Sequence, residues 1–484
     1  MNPLFHSVLL FGVLLSLYQY DAKYNIRKVV FVPILSAIML LRIPFTTSSD
    51  SVWAEDGTFY NDSREYGLDA ITKRYNGYHQ YGLRLIFLVL GNFPLRMLPY
   101  LVLVVCLIFY MIIISTIISI NWTIGDQELN AKKIGIGFAA TPLLAYETLG
   151  NINNLGVVSL IAVTCYLFMG LKTKNNRFLK GLKPRVSILL SIALTTFVAS
   201  ISPGLFPVIF LAFLFSIKIS FVNVSKVEWI ALLPAAGISL MNFILSMSAR
   251  VDFKIEFLPS FIQDLPYRLI FSAYFGRYAP DVFRNGEFSL GILALLVTFL
   301  SFSKLLFDLV HNVDLRKIEV KTYCDYAVFP AVFCLFIPSA MALFAAGNFI
   351  AANDLALRWG LMGAGKFISA SFAVFLVIFM ANYLQKSKQT ASRRRARKKK
   401  TTKKGILNFE NKKKNYNVLF TRLIVFVTFI VYFVNFTSDA GRLPADYGDR
   451  VSKAHQVCVE DVTLEKADVE IAPYDGNWKI VLKC

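Results

Sequence analysis

Apolar runs of about 15 to 24 residues recur along the whole of this 484-residue chain. A helix needs about 20 apolar residues to cross the roughly 30 Å hydrocarbon layer of a membrane. Hydrophobic residues make up 56% of the chain and charged residues only 17%, whereas soluble proteins carry about 25% charged residues. The sequence therefore predicts an all-α polytopic membrane protein with about twelve transmembrane helices. The predicted spans are 4–19, 29–44, 99–120, 134–147, 155–171, 187–201, 204–218, 228–246, 288–309, 325–347, 361–384 and 417–437.

Segment 82–98 decides the predicted topology, because its apolar stretch runs only from Leu85 to Leu90. If this segment does not cross the membrane, the basic loops fall on one face, in agreement with the positive-inside rule. We therefore predict an interfacial or half-inserted helix here, with both chain termini outside. The transmembrane domain is then 1–437, and a small extracytoplasmic tail, 438–484, follows it. The other polar segments predicted on the outer face are 45–98, 247–287 and 348–360.

The formal net charge of +20 is concentrated in one loop. Residues 385–416 contain 14 Lys and Arg between two predicted spans. A cluster of this kind marks the cytoplasmic side of a membrane protein and can contact anionic lipids. We interpret it as a topology signal and predict no nucleic-acid partner.

Two of the six cysteines, Cys458 and Cys484, lie in the polar tail. None of the six has the spacing of a zinc site. An oxidising exterior would let the two tail cysteines form a disulfide, whereas a reducing compartment would leave two free thiols. Alternating apolar residues around Asp475 and Gly476 predict a small β-hairpin in the same tail.

The run Ser51–Phe59 reads Ser-Val-Trp-Ala-Glu-Asp-Gly-Thr-Phe and follows the second apolar segment. Charged side chains are costly near hydrocarbon, so the adjacent acids Glu55 and Asp56 indicate a function. Partial burial strengthens a carboxylate as a proton acceptor, which suits a general base. We predict Asp56 as the base and Glu55 as a residue that orients the substrate. The alternative is structural: a helix N-cap at Asp56, or a surface acid pair.

A second polar group holds Tyr78, His79 and Arg84 on the same predicted outer loop. Aromatic rings and amides suit the faces and hydroxyls of sugars, and an arginine can bind a phosphate through two hydrogen bonds. We predict that these residues bind the substrate. An interfacial aromatic belt with a snorkelling arginine would have the same composition.

Two more polar groups complete the candidate site. Glu147, Asn151 and Asn154 interrupt a pair of apolar runs, as residues that line a wetted cavity do. A tight turn with a capping Asn is the alternative reading. Arg358 and Lys366 lie at the start of a later apolar run, where they could bind a lipid-linked phosphate or merely anchor the helix.

Together these motifs resemble a branch of bacterial GT-C glycosyltransferases, which are polytopic enzymes. The matching residues occur in order along most of the chain: Trp53-Ala-Glu-Asp-Gly57, Gly77-Tyr78, Arg84, Glu147-x-x-Gly-Asn-x-x-Asn154, Ser202-Pro203, Arg358-Trp359, Cys458 and Trp478. The resemblance implies a GT-C fold in the cytoplasmic (inner) membrane, with an outward-facing site supplied with an undecaprenyl-phosphate-linked sugar. It also implies inverting chemistry, with an acid of the first outer loop as base. An extra span before the acidic motif and the long basic loop depart from the pattern.

The resulting hypothesis is a glycosyltransferase that moves a sugar from a polyprenyl-phosphate donor to a surface glycan or lipid-linked acceptor. The lipid phosphate is already a good leaving group, so no nucleotide is needed, and a requirement for a divalent metal is left open. The alternatives are a flippase or other transporter, or a polymerase or ligase of lipid-linked glycans. Transporters are often built from duplicated halves, and no such duplication is visible in this sequence.

Overall fold

The computed structural model is mostly helical, with a small two-stranded sheet in the C-terminal tail. The structure describes residues 3–44, 49–75, 78–120, 122–124, 127–128, 130–140, 149–170, 182–223, 226–247, 296, 446–461, 463–472 and 478–484. Apart from residue 296, the last four predicted spans lie outside the described residues, as do the segments 248–287 and 348–360 and the basic loop. So do Glu147, Arg358 and Lys366.

The helices follow the apolar runs of the sequence. Eight of the predicted spans correspond to helices, and one of them, 228–246, is divided between two helices at a break just before Pro234. The helices are α1 Pro3–Tyr24, α2 Lys28–Leu41, α3 Glu55–Tyr66, α4 Tyr81–Leu90, α5 Leu98–Ser119, α6 Ala131–Ala140, α7 Leu155–Cys165, α8 Leu182–Ile201, α9 Leu205–Asn223, α10 Lys226–Ala231, α11 Leu233–Met247 and α12 Tyr447–Glu460. A π-helix, Tyr166–Gly170, extends α7, and 3₁₀ turns occupy Gly67–Thr72 and Leu95–Met97.

The strands are short and antiparallel. They are β1 Arg74–Tyr75, β2 Tyr78–His79, β3 Thr123–Ile124, β4 Gln127–Glu128, β5 Lys466–Glu470 and β6 Lys479–Lys483. β1 pairs with β2, β3 with β4 and β5 with β6.

One helix in the described part of the chain is long and apolar enough to cross a membrane by length and composition, Leu95–Ser119. Other apolar helices there, such as α2 and α11, are shorter. The predicted number of twelve spans is therefore not confirmed.

The segment predicted as interfacial contains α4, a helix of ten residues. At 1.5 Å per residue this helix is about 15 Å long, roughly half the hydrocarbon thickness. It ends at Gly91, and the chain turns through Leu95–Met97 into α5. A helix of this length is too short to span a membrane by itself, and its place at the membrane interface stays a prediction.

Side-chain contacts define one end of the helix bundle, which we call the lysine end. Lys132 at the start of α6 donates to Asp21 (2.7 Å) and Asn25 (2.8 Å) at the end of α1. Lys28 at the start of α2 donates to the carbonyl of Ile118 at the end of α5 (3.1 Å). The ends of four elements therefore meet there, together with basic residues.

The opposite end, which we call the motif end, carries α3, α4 and the start of α7. The carbonyl of Leu41, where α2 ends, bonds His6 near the start of α1 (2.5 Å). Asn242 near the end of α11 reaches the carbonyl of Ala199 near the end of α8 (3.4 Å). The long helices α1, α2 and α5 thus alternate in direction between the two ends, and α5 packs against α2, α6, α7 and α8.

The C-terminal tail is folded and lies at the motif end. The predicted hairpin is present, with Val469 opposite Ile480, and a disulfide joins Cys458 to Cys484. That disulfide resolves the open alternative between a bridge and two free thiols. Helix α12 was not predicted, although Tyr447, Val451 and Ala454 form a buried stripe with helical spacing.

The C-terminal tail and α3 are held together by hydrogen bonds and by close packing. Asn61 on α3 donates its amide to the carbonyl of Lys479 (3.1 Å) and accepts the N–H of Val481 (2.9 Å). Gly57 allows a close approach, because a Cβ there would collide with Ile471 and lie 3.0 Å from Cγ1 of Ile480. The side chain of Asn61 thus satisfies the edge of β6 as another strand would.

Asn61→Ala is expected to destabilise the tail by about 1–3 kcal/mol, because both backbone groups of β6 lose their partner. Hydrogen exchange of residues 479–483 in the full-length protein measures the loss. Asn92→Ala is the matched control, since among the described residues the Asn92 side chain bonds only to the end of its own helix, at Leu88 (2.8 Å) and Val89 (3.4 Å). Equal hydrogen exchange of β6 in the two variants would contradict the stabilising role given to the Asn61 side chain.

Candidate functional site

The acidic motif begins α3, and its carboxylates lie in the first turn of that helix. Asp56 is 0% exposed, whereas Glu55 is half-buried. The negative charges lie near the helix N-terminus, where the helix dipole favours them. Asp56 is therefore neither a surface acid nor the N-cap residue of its own helix, which is Ala54.

The Asp56 carboxylate binds the loop before α7 through two backbone amides. The N–H of Ile152 donates to Oδ2 and that of Asn153 to Oδ1, each at 2.9 Å. The polar groups around 55–56 and 151–154, nearly 100 residues apart in sequence, are thus in direct contact. Each carboxylate oxygen has two lone pairs, so one amide does not exhaust its capacity to accept hydrogen bonds.

The loop that faces Asp56 is held in a defined turn. Gly150 has φ of +67°, which a glycine adopts without steric cost, and its N–H donates to the Tyr110 hydroxyl (2.9 Å). The Asn151 side chain accepts the N–H of Asn154 (2.8 Å), and Asn154 is the N-cap residue of α7. Asn151 therefore acts as the capping residue of a tight turn, as the structural alternative predicted, and both asparagines are buried.

On its other side the acidic motif contacts the tail. The N–H of Ala54 donates to the carbonyl of Ala472 (2.5 Å), and the N–H of Ala472 donates to Val52 (3.2 Å). Ala54 has φ of +34°, a region that non-glycine residues rarely adopt and that costs about 1–3 kcal/mol. The strained residue lies two positions before Asp56, so the tail helps to fix the backbone that carries the acid.

Arg84 forms an ion pair with Asp62, a residue that the sequence analysis did not select. Arg84 is 2% exposed, and its guanidinium lies 4.6 Å from the centre of the Phe59 ring. Lys73 also approaches Asp62, at 3.6 Å. Two cations therefore share one carboxylate, which leaves this cluster with a net positive charge.

His79 lies in the short hairpin before α4, where Arg74 pairs with His79 and Tyr75 with Tyr78. Its Nε2 accepts a hydrogen bond from Arg74 (3.3 Å), and its ring stacks on Tyr81 with centroids 4.9 Å apart. Burial, reinforced by the positive charge of Arg74, lowers the pKa of His79. The imidazole is therefore neutral at neutral pH.

Protonation of His79 should destabilise the protein at acidic pH. Because the folded-state pKa lies below the unfolded value of about 6.5, the unfolded chain takes up the proton first. Stability that is present above pH 6.5 is then lost as the pH falls toward the folded-state value. Thermal unfolding of wild type and His79→Gln between pH 7.5 and 5 tests this, and the variant should lose less stability. Equal losses of stability in the two proteins over this pH range would contradict the prediction.

The structure thus forms two polar groups at the motif end, one around Asp56 and one around Arg84, both on α3 or packed against it. Sequence reasoning missed Asp62 and also Asn242, whose amide reaches the carbonyls of His79 (3.2 Å) and Ala199 (3.4 Å). The lone amide of Asn242 within the apolar run 228–246 was a usable signal, because polar residues are rare in such runs. Among the described residues no cluster of three or more His, Cys, Asp or Glu could hold a metal ion, so the metal question stays open.

Comparison with known proteins gives little beyond this geometry. No family model and no curated protein matches the sequence. One solved structure is similar, the archaeal oligosaccharyltransferase AglB from Archaeoglobus fulgidus in complex with an inhibitory peptide and a dolichol-phosphate, at 12% identity and a TM-score of 0.44. The match covers 87% of this chain but only 56% of that protein. A TM-score below 0.5 does not define a shared fold, so no residue role is taken from that enzyme.

Proposed function

We propose that this protein is a GT-C-type membrane glycosyltransferase that moves a sugar from a polyprenyl-phosphate donor to an extracytoplasmic glycan or lipid-linked acceptor. The observation that carries the proposal is the buried carboxylate of Asp56, fixed by two backbone amides and lying beside the strained Ala54. A carboxylate held in this way is oriented before substrate binds, which a general base requires.

Exposed apolar side chains support a location in the membrane. Large apolar residues on several helices face outward, among them Val29 on α2 (76% exposed), Val104 on α5 (55%) and Ile244 on α11 (58%). Soluble monomers rarely expose large apolar patches, and lipid is one environment that would cover side chains such as these.

The two ends of the bundle support the proposed sidedness. Lys28 and Lys132 lie at the lysine end, as expected of a cytoplasmic face. The disulfide-bonded tail lies at the motif end, and disulfides persist in oxidising compartments. The site around Asp56 would then open to the extracytoplasmic side.

In the proposed reaction an acceptor hydroxyl attacks C1 of the donor sugar on the side opposite the phosphate. The new O–C1 bond forms as the C1–O bond to phosphate breaks, and the bonding electrons leave with the polyprenyl phosphate. Asp56 takes the proton of the attacking hydroxyl, and the configuration at C1 inverts. Arg358, helped by Arg84 or Lys366, stabilises the charge of the departing phosphate.

The roles of the remaining candidates follow from this scheme. Glu55, Tyr78 and His79 would orient the sugars, and Glu147, Asn151 and Asn154 would line the wetted cavity that the sequence predicts. For Asn151 the direct task is to hold the loop that binds Asp56.

The test is transfer by purified full-length protein in lipid vesicles, with undecaprenyl-phosphate-linked sugars as donors and lipid-linked oligosaccharides as acceptors. We expect mass spectrometry to detect an acceptor heavier by one sugar residue, together with free polyprenyl phosphate. Translocation of the donor across the vesicle without chemical change would favour a flippase and reject the enzyme. Addition of whole oligosaccharide blocks would indicate a polymerase or ligase.

A further inference from the structure

We infer that Gln80, Ser239 and Asn242 form a binding site for the hydroxyl groups of one of the two sugars, an inference that rests on the proposed function. Gln80 is the N-cap residue of α4, and Ser239 and Asn242 lie on α11, 159 and 162 residues later in the sequence. All three are buried, and each has an oxygen without a hydrogen-bond partner in the described part of the chain.

A hydrogen bond joins the two segments that carry these residues at the motif end. The Asn242 amide nitrogen donates to the carbonyl of His79 (3.2 Å), and Gln80 is the next residue. Ser239 precedes Asn242 by three positions, so both side chains lie on the same face of α11. The N–H of Arg84 donates to the carbonyl of Gln80 (3.0 Å) at the start of α4, which places this polar corner beside the positive cluster.

The orientation of the Asn242 amide follows from its own hydrogen bonds. Its nitrogen donates to two carbonyls, those of His79 (3.2 Å) and Ala199 (3.4 Å). Its oxygen Oδ1 is therefore the atom left without a partner. Buried polar groups without partners are rare and unfavourable, and each calls for an explanation. Several of them in one corner, on segments distant in sequence, are explained by a ligand that completes their hydrogen bonds.

The hydrogen-bonding capacity of these three oxygens indicates the class of ligand. Amide oxygens accept hydrogen bonds, and the Ser239 hydroxyl can both donate and accept, so the ligand must supply donors. An anion would place its lone pairs against those of the amide oxygens. A cation would be repelled by Arg74 and Arg84, which flank His79 and Gln80. A neutral hydroxyl group, which donates and accepts, fits both requirements.

Ser239→Ala and Gln80→Met test the site, with Ser7→Ala as the matched control. Ser7 on α1 is also buried, and its hydroxyl also has no partner among the described residues. We expect each site variant to raise the KM of one sugar substrate at least fivefold. Their melting temperatures should be unchanged or higher, because removal of an unpaired buried group is not destabilising. The control should leave both KM values unchanged, and its melting temperature should likewise be unchanged or higher.

The two possible sources of the sugar are distinguished by which KM rises, that of the polyprenyl-phosphate donor or that of the acceptor glycan. Unchanged KM values for both substrates would overturn the inference. So would a stabilisation of the wild-type protein by Mg²⁺ or Ca²⁺ that the site variants lose, because the corner would then be a cation site.

A binding measurement separates this inference from the proposed reaction. Saturation-transfer NMR of the full-length protein with methyl glycosides of glucose, mannose, galactose and arabinose should detect at least one ligand, weakened fivefold or more by Gln80→Met. If wild type transfers no sugar but still binds a glycoside through Gln80, the reaction is wrong and the site stands. If no glycoside binds and the variants transfer sugar normally, the site is wrong and the reaction stands.

Discussion

Asp56→Asn is expected to lower the rate of sugar transfer by at least about 100-fold, the usual contribution of a positioned general base. The amide has nearly the shape of the carboxylate but cannot take the acceptor proton. It also presents an N–H group to one of the two backbone amides, those of Ile152 and Asn153, that the carboxylate binds. One buried hydrogen bond is therefore lost, and we expect a loss of about 1–3 kcal/mol in stability as well. Initial rates and thermal unfolding of the same preparation measure the two effects separately.

Asp21→Asn is the matched control for this experiment. Asp21 is also a buried carboxylate, paired with Lys132 at 2.7 Å, but it lies at the lysine end of the bundle. Its substitution should lower the melting temperature while the transfer rate of the folded protein stays within about threefold of wild type. A folded Asp56→Asn variant with comparable turnover would refute the role of Asp56, and its contacts with the 151–154 loop would then be purely structural.

The positions of the helices were predictable because the local composition of the sequence determines where they form. Predicted and observed starts differ by one residue for α2 and α5 and coincide for α7, since an apolar run forms a helix wherever it can be buried or covered by lipid. The half-length α4 was predictable for the same reason, as Arg84 and Gly91 limit its apolar stretch. Helix α12 carried a readable amphipathic pattern, but it lies in a polar segment without a long apolar run.

The contacts of the acidic motif were not predictable from the sequence. Asn61 bonds β6 across 418 residues of chain, and no local pattern records such a pairing. The same holds for the amides that bind Asp56 and for the ion pair between Arg84 and Asp62. The residue types suggested chemistry at Asp56 and Arg84, whereas the partners that orient them arise only from the tertiary structure.

Loss of the Cys458–Cys484 disulfide is expected to destabilise the tail by about 3.5 kcal/mol, the loop entropy for cysteines 26 residues apart. The bridge joins the end of α12 to the end of β6 and so restricts the unfolded tail. The folded tail in turn binds the acidic motif through Ala472 and packs against Gly57. We therefore expect hydrogen exchange to rise both in residues 466–472 and in residues 50–57, and sugar transfer to fall with them.

The double variant Cys458→Ser/Cys484→Ser and chemical reduction of the wild type should give the same result, because both open the same loop. The double variant should not respond further to the reductant, which separates the disulfide from other effects of the reagent. Cys165→Ser provides the matched thiol control, since Cys165 is a buried free cysteine of α7. If reduction raises exchange in the tail but leaves residues 50–57 protected and transfer unchanged, the motif is rigid without the tail. Its backbone geometry must then depend on the 149–154 loop alone.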